Sequence, residues 1–239
     1  MNAIILAAGL GSRFKDITKK EHKSLLKIGD KPNLERTIEY LTDAKVEKII
    51  IVVGYLKEKF DYLKEKYGDI IEFVYNDKYR EYNNIYSFYL AEKYFGDSFI
   101  VEADVVLFEN VFFKPEHSTY FTTTRQIESF EWNPITDDSG RIYKVEITDK
   151  KIPSIAGISY WTEKDAKVIK EHLKDYMNIE DLSNSKLYWD NIIADIYDEI
   201  YVTTYNIDNS LIYEMDNVEN YEFINQKWKE IKEKGNDII

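Results

Sequence analysis

The sequence predicts an α/β fold: a Rossmann-like, mostly parallel sheet with helices on both faces, joined to a smaller β-rich part. Three observations lead there. Short apolar runs alternate with helix-period segments through roughly the first hundred positions, the pattern of strands linked by crossover helices. The first apolar run, 3–6, breaks into the small-residue loop Ala7-Ala8-Gly9-Leu10-Gly11-Ser12. Beyond Asp104 the helical period gives way to strand-like segments rich in threonine and aromatic residues.

Taken in order, Pro32 followed by Leu34, Ile38 and Leu41 starts a helix at a proline. Residues 48–53 form a second buried strand. Leu56, Phe60, Leu63 and Tyr67 recur at helical spacing, and Gly68 closes that helix. A third strand is expected over 70–75, a helix over 85–94 and a fourth strand over 98–102. Residues 121–124, 141–147 and 156–161 read as further strands, with Asp137-Asp138-Ser139-Gly140 as a turn. Helices return over 164–175, 190–196 and 218–234, and residues 235–239 are expected to fray. No repeat, low-complexity stretch or Pro/Gly/Ser-rich linker interrupts the chain. The reading is therefore one domain over 1–239, with a nucleotide-binding half over about 1–110 and an acceptor-binding half over about 111–239.

The opening loop carries the chemistry. Glycines permit positive φ and close approach of a ligand, and successive N–H groups in such a turn form an anion-binding concavity. Arg13, which ends the loop, supplies a forked donor for phosphate. A dinucleotide fingerprint needs Gly or Ala where Phe14 stands and an acid after the second strand, where Gly54-Tyr55 follows instead. A P-loop is excluded because no Gly-Lys-Ser/Thr occurs. A glycine pair alone would favour a bare tight turn; Arg13 followed by Lys23 favours a nucleotide cradle. Seven cations (13, 15, 19, 20, 23, 27, 31) against three acids (16, 21, 30) make this stretch an electropositive lip in a chain of net charge −12.

Leu-Ala-Ala-Gly-Leu-Gly-Ser-Arg at 6–13, with Lys23-Ser24-Leu25-Leu26, resembles the signature of nucleoside-triphosphate transferases, which include the sugar-1-phosphate nucleotidylyltransferases. Gly54-Tyr55-Leu56-Lys57-Glu58, Asn76-Asp77-Lys78-Tyr79, Tyr82-Asn83-Asn84, Leu187-Tyr188-Trp189-Asp190-Asn191 and Ile212-Tyr213-Glu214-Met215-Asp216 are similar to the bacterial CTP:phosphocholine cytidylyltransferases. The likeness runs from residue 2 to about 221. It implies a transfer of CMP from CTP to a small phosphorylated amine, with release of pyrophosphate, serving surface polysaccharide or lipid decoration.

The resemblance assigns roles residue by residue. Arg13 and Lys23 would hold the triphosphate catalytically, although His22 stands where the wider superfamily commonly carries proline. Leu6, Ala7, Ala8, Gly9, Gly11 and Ser12 would line the nucleotide. Asp104, at a strand tip where open α/β sheets bind ligands, and Asp216 would hold Mg²⁺, which takes hard oxygen ligands. Asn83, Asn84 and Ser87 follow the third strand; the Asn amides suit a pyrimidine edge or a helix N-cap, and the two roles are compatible. Trp132, Tyr188 and Asp190 suit a quaternary ammonium, which is best held over aromatic faces beside a carboxylate. Trp161 suits either that role or the core. Lys150 lies where related enzymes place a lysine on the acceptor phosphate.

Composition sets the remaining bounds. With 44% hydrophobic residues, 239 positions can bury a sizeable core. No apolar run nears the roughly 18 residues that span a bilayer, no signal-peptide pattern opens the chain, and cysteine is absent. The expectation is a cytoplasmic enzyme that binds neither membrane nor, given its acidity, nucleic acid. Phosphocholine is the leading acceptor; phosphoethanolamine, an aminophosphonate or L-glutamine phosphate fit the same scaffold. A sugar-1-phosphate nucleotidylyltransferase and a non-catalytic nucleotide-sensing subunit are the alternatives.

Overall fold

A computed structural model describes residues 1–14, 16–125 and 129–236. Lys15 of the basic lip and 237–239 of the expected tail lie outside it; 235 and 236 continue the last helix. Among the described residues thirteen strands occur in chain order: β1 (Asn2–Ala7), β2 (Lys27–Ile28), β3 (Lys31–Pro32), β4 (Lys48–Val53), β5 (Ile71–Tyr75), β6 (Ser98–Glu102), β7 (Val105–Leu107), β8 (Ser118–Thr123), β9 (Glu131–Thr136), β10 (Ile142–Thr148), β11 (Ser154–Trp161), β12 (Val202–Ile207) and β13 (Ile212–Glu214). The α-helices are α1 (Asn33–Asp43), α2 (Asp61–Tyr67), α3 (Asn84–Leu90), α4 (Glu163–Leu173), α5 (Ile179–Ser183), α6 (Asp190–Ala194) and α7 (Val218–Asn236).

The main sheet runs β12-β8-β11-β6-β1-β4-β5. All pairs are parallel except the two that β11 makes with β6 and β8. The mostly parallel expectation holds, and three strands of the β-rich half complete the same sheet. The β9–β10 hairpin, the β7–β13 pair and the β2–β3 hairpin stand apart from it.

Side-chain alternation along β1 splits the core in two. Ala3, Ile5 and Ala7 face α1 and α2, packing with Leu34, Ile38, Phe60 and Leu63. Ile4, Leu6 and Ala8 face the other way, toward Phe88 of α3, Ile169 of α4 and Ile192 of α6. A strand with both faces buried reads as a continuous apolar run, as β1 and β4 do.

A third, smaller cluster positions the site. Phe14 from the opening loop, Leu26 and Ile28, Val106 and Phe108, Met215, and Ile224 and Trp228 of α7 pack together. At the β2–β3 turn Gly29 has φ +67, and a Cβ there would lie 2.3 Å from Trp228 Nε1. Arg36 stacks on the same indole, 3.8 Å from the Trp228 ring centroid, and the Gly29 N–H donates to Asn225 Oδ1 at 2.9 Å. Thus α7, which follows Asp216 directly, clamps the segment that follows Lys23.

Gly29→Ala is expected to lose about 2–4 kcal/mol of stability in urea denaturation, from overpacking plus strain at positive φ. Gly68→Ala, at φ +70 with nothing within 4 Å of the added Cβ, isolates the strain and should lose about 1 kcal/mol.

Candidate active site

Register brings the signature loop to the tip of β6. Leu6 lies beside Glu102, and the Ala103 N–H donates to the Leu6 carbonyl at 3.3 Å, so residues 103–104 emerge next to residues 8–12. The loop's carbonyls are pinned one after another. Ala8 accepts from the Tyr55 N–H at 3.2 Å, Gly9 from His22 Nε2 at 3.0 Å, and Gly11 from Thr18 Oγ1 at 3.1 Å. Among the described residues the N–H groups of Gly9, Leu10 and Gly11 donate to nothing. A Cβ at Gly9 would meet nothing within 4 Å, whereas Gly11 needs its φ of +59. Leu6, Ala7 and Ala8 are buried and Ser12 exposed, so the three apolar residues offer a ligand backbone, not side chains.

Two ion pairs close the end of the loop. Lys23 Nζ lies 2.6 Å from Asp104 Oδ2 with both side chains largely buried, and Arg13 lies 3.1 Å from Asp216 Oδ1 with its side chain 68% exposed. Burial opposes the Lys23 charge, but Asp104, Asp216 and Glu102 together raise its pKa above the ordinary value. The Met215 N–H donates to the Asp104 carbonyl at 2.9 Å, which holds Asp216 one residue from Asp104's backbone.

Behind these pairs stand more acids than expected. Burial, then Asp104 and Asp190, push Glu102 well above the usual carboxylate range. Burial takes Asp190 up to about 6 against the hydroxyl of Tyr120, which donates to it at 2.8 Å. Burial takes Glu214 up to about 7; Arg125, 2.5 Å from Glu214 Oε1, opposes this and Asp104 reinforces it. Sequence reasoning missed Arg125, Tyr120 and Glu214. Glu214, two residues before Asp216 on an extended segment, was the visible signal. A cavity of about 640 Å³ borders this corner, with Arg125, Glu131, Glu214 and Asp216 among its lining.

The other expected residues divide. Asn83 caps α3, its Oδ1 accepting from the Ile85 N–H at 3.1 Å, and both amide hydrogens go to the carbonyls of Asp181 and Asn184. The cap is present, and its side chain has no hydrogen left for a base. Asn84 bridges the halves, donating to Glu102 Oε1 at 3.2 Å and accepting from the Trp189 N–H at 2.9 Å. Ser87 is buried and accepts from Asn76 Nδ2 at 2.9 Å. Trp161 requires correction as an acceptor residue: it is fully buried among Phe95, Tyr120 and Trp189, where no ligand reaches its face. Tyr188, two residues before Asp190 in sequence, is exposed, and Trp132 is half-buried on β9 opposite Ile147. Lys150 is exposed just past β10; its backbone N–H donates to Thr148 Oγ1 at 3.3 Å and its carbonyl accepts from the Ile152 N–H at 2.8 Å.

The donor set fits magnesium. Asp104 and Asp216 supply hard oxygens at adjacent points, and among the described residues no group of three His, Cys, Asp or Glu is poised around one metal. Such a site needs phosphate oxygens and water to complete it, as Mg²⁺ sites on nucleotides do.

An anion loop at the end of a parallel sheet, two cations and two strand-end carboxylates define a nucleotidyltransferase. Residues 3–114 match the model of the MobA-like NTP transferase domain. The chain is 49% identical over 235 residues to the choline-phosphate cytidylyltransferase of Haemophilus influenzae, covering 98% of this chain and all of that one. It is 35% identical to the 2-aminoethylphosphonate cytidylyltransferase of Lancefieldella rimae, covering 91% and 89%. The solved structure of the CTP:phosphocholine cytidylyltransferase of Streptococcus pneumoniae superposes with a TM-score of 0.88 at 37% identity, covering 94% and 97%. The chain belongs to the choline-phosphate cytidylyltransferase family.

His22 makes a pH prediction. Burial, opposed by its bond to Gly9, lowers its pKa from 6.5 to about 4, so the folded protein holds it neutral. The unfolded chain takes up that proton first as pH falls below 6.5, and the folded state follows only near 4. Stability should therefore fall between pH 6.5 and 4 by up to about 3 kcal/mol from this residue. Urea denaturation of wild type and His22→Gln across that window should show a shallower slope in the variant.

Proposed function

We propose that the chain transfers CMP from CTP to phosphocholine, with Mg²⁺ as cofactor and pyrophosphate as the leaving group. The observation that carries this reading is the convergence of Arg13, Lys23, Asp104 and Asp216 beside a loop whose N–H groups at 9–11 donate to none of the described residues. An oxygen of the acceptor phosphate bonds to the α-phosphorus of CTP while the α-phosphorus–oxygen bond to the β-phosphate breaks, the electron pair leaving with pyrophosphate. Such a transfer needs in-line positioning and charge stabilisation more than covalent help. Magnesium held by Asp104 and Asp216 would neutralise phosphate charge.

The protein's own groups do the rest. The N–H groups of residues 9–11 orient the triphosphate. Lys23 keeps its proton throughout and donates to the oxygens that gain charge, exchanging Asp104 for phosphate. Arg13, exposed and paired with Asp216, swings to the leaving pyrophosphate. Asn84 joins Glu102 to the Trp189 backbone, so the loop of Tyr188 and Asp190 is fixed relative to the tip of β6.

Tyr188 and Asp190 support a cationic acceptor: an exposed ring two residues in sequence from a half-buried carboxylate supplies the two group types that suit a quaternary ammonium. This assignment shares its scaffold with the relative that acts on 2-aminoethylphosphonate, so the acceptor is decided by assay. CTP availability places the reaction in the cytoplasm, and its product would serve surface-polymer decoration.

Pyrophosphate release with CTP should be fastest with phosphocholine when compared with phosphoethanolamine, 2-aminoethylphosphonate, L-glutamine phosphate and glucose 1-phosphate. A higher kcat/KM for any other acceptor would move the assignment to that compound. In the same assay Lys23→Ala and Asp104→Ala should each lower kcat by roughly 10²–10³-fold, as loss of one charge-stabilising group does.

A further inference from the structure

His22 is 1% exposed, yet its ring makes three polar contacts. Nε2 lies 3.0 Å from the Gly9 carbonyl oxygen, and Nδ1 lies 2.8 Å from Ser24 Oγ and 3.2 Å from the Ser24 backbone nitrogen. A carbonyl and a backbone N–H admit one neutral tautomer: Nε2–H donates to Gly9, and Nδ1 accepts from Ser24. The ring edge rests on Phe60 with centroids 4.9 Å apart, so its plane is set from outside the loop. His22 is also the N-cap of the short 3₁₀ turn Lys23–Leu25. One imidazole therefore joins the two segments that carry the anion-binding groups.

The consequence is directional. In a trans peptide the C=O and the following N–H point opposite ways. Pinning the Gly9 oxygen to the buried His22 turns the Leu10 N–H to the other side, where Gly9 is exposed and a Cβ would meet nothing. The same ring caps the turn whose first residue is Lys23. Proline, common here in the wider superfamily, stiffens the backbone but offers Gly9 no donor.

We propose that His22 is a positioning residue for the triphosphate. It orients the Gly9–Leu10 peptide as an anion donor and fixes Lys23 in register with it. The proposal rests on the cytidylyltransferase reading and deepens it. Its signature is selective: interaction with CTP depends on the ring's donor and acceptor, and interaction with the acceptor does not.

The test is initial-rate kinetics of full-length His22→Phe, His22→Ala and His22→Gln, varying CTP at saturating phosphocholine and the reverse. Phe fills the space without either polar contact, and Gln restores a donor and an acceptor. His22→Phe and His22→Ala are expected to raise the KM for CTP by roughly 5- to 100-fold, as loss of one or two buried hydrogen bonds does. The phosphocholine KM should stay within about twofold of wild type, and Gln should recover most of the loss. If Phe leaves the CTP KM within about twofold of wild type while only the melting temperature falls, His22 is merely structural and the proposal is overturned. Equal CTP KM values for Phe and Gln overturn it as well, and this comparison stands if the Ala variant fails to fold. Absence of turnover in the wild type would count against the cytidylyltransferase reading. Calorimetric binding of CTP with Mg²⁺ to wild type and His22→Phe then decides the proposal separately, unequal affinities supporting it and equal ones overturning it.

Discussion

The contact between Lys23 and Asp104 is the interaction on which the site depends. It spans 81 residues of chain and joins the signature segment to the tip of β6 at 2.6 Å. Neither partner is fully wet, so each needs the other: a buried cation or carboxylate without a counter-charge would shift its pKa and neutralise. On the proposed reading, phosphate and metal would compete for the two partners of this pair.

Holding that pair in place takes most of the fold. Parallel pairing of β1 with β6 sets the level of Asp104. The β7–β13 ladder and the Met215–Asp104 backbone bond bring Asp216 to the same corner. The small core around Trp228 then ties α7 to the hairpin that follows Lys23. The acids crowding behind, Glu102, Asp190 and Glu214, have their pKa values raised by burial, and Arg125 and Tyr120 bond two of them. On the proposed reading these acids suit a metal ion and an organic cation, and the exposed Arg13 would meet the polyanion.

Much of this was legible in the amino acids, for reasons that can be named. The strands 48–53 and 98–102 match the expected bounds because each is an unbroken apolar run ended by a charge or glycine. The strands that escaped notice lacked that signal. Val105–Leu107 is short, Glu131–Thr136 contains Pro134, and Val202–Ile207 is an edge strand whose middle residues are polar or exposed. Arg13, Lys23, Asp104 and Asp216 meet because the motifs encode local turns that the sheet brings together. Trp161 and Asn83 each admit two readings from the sequence, a ligand contact and a structural role; the structure puts one in the core and makes the other the cap of α3. His22 marked a departure from pattern whose meaning lay in a contact 13 residues away.

The most direct measurement of the account is a calorimetric titration of CTP into the protein with and without magnesium. The account predicts saturable binding of one CTP per chain, weakened when the metal is withheld, because Asp104 and Asp216 then repel the triphosphate. No heat of binding with both present, or an affinity indifferent to magnesium, would contradict it.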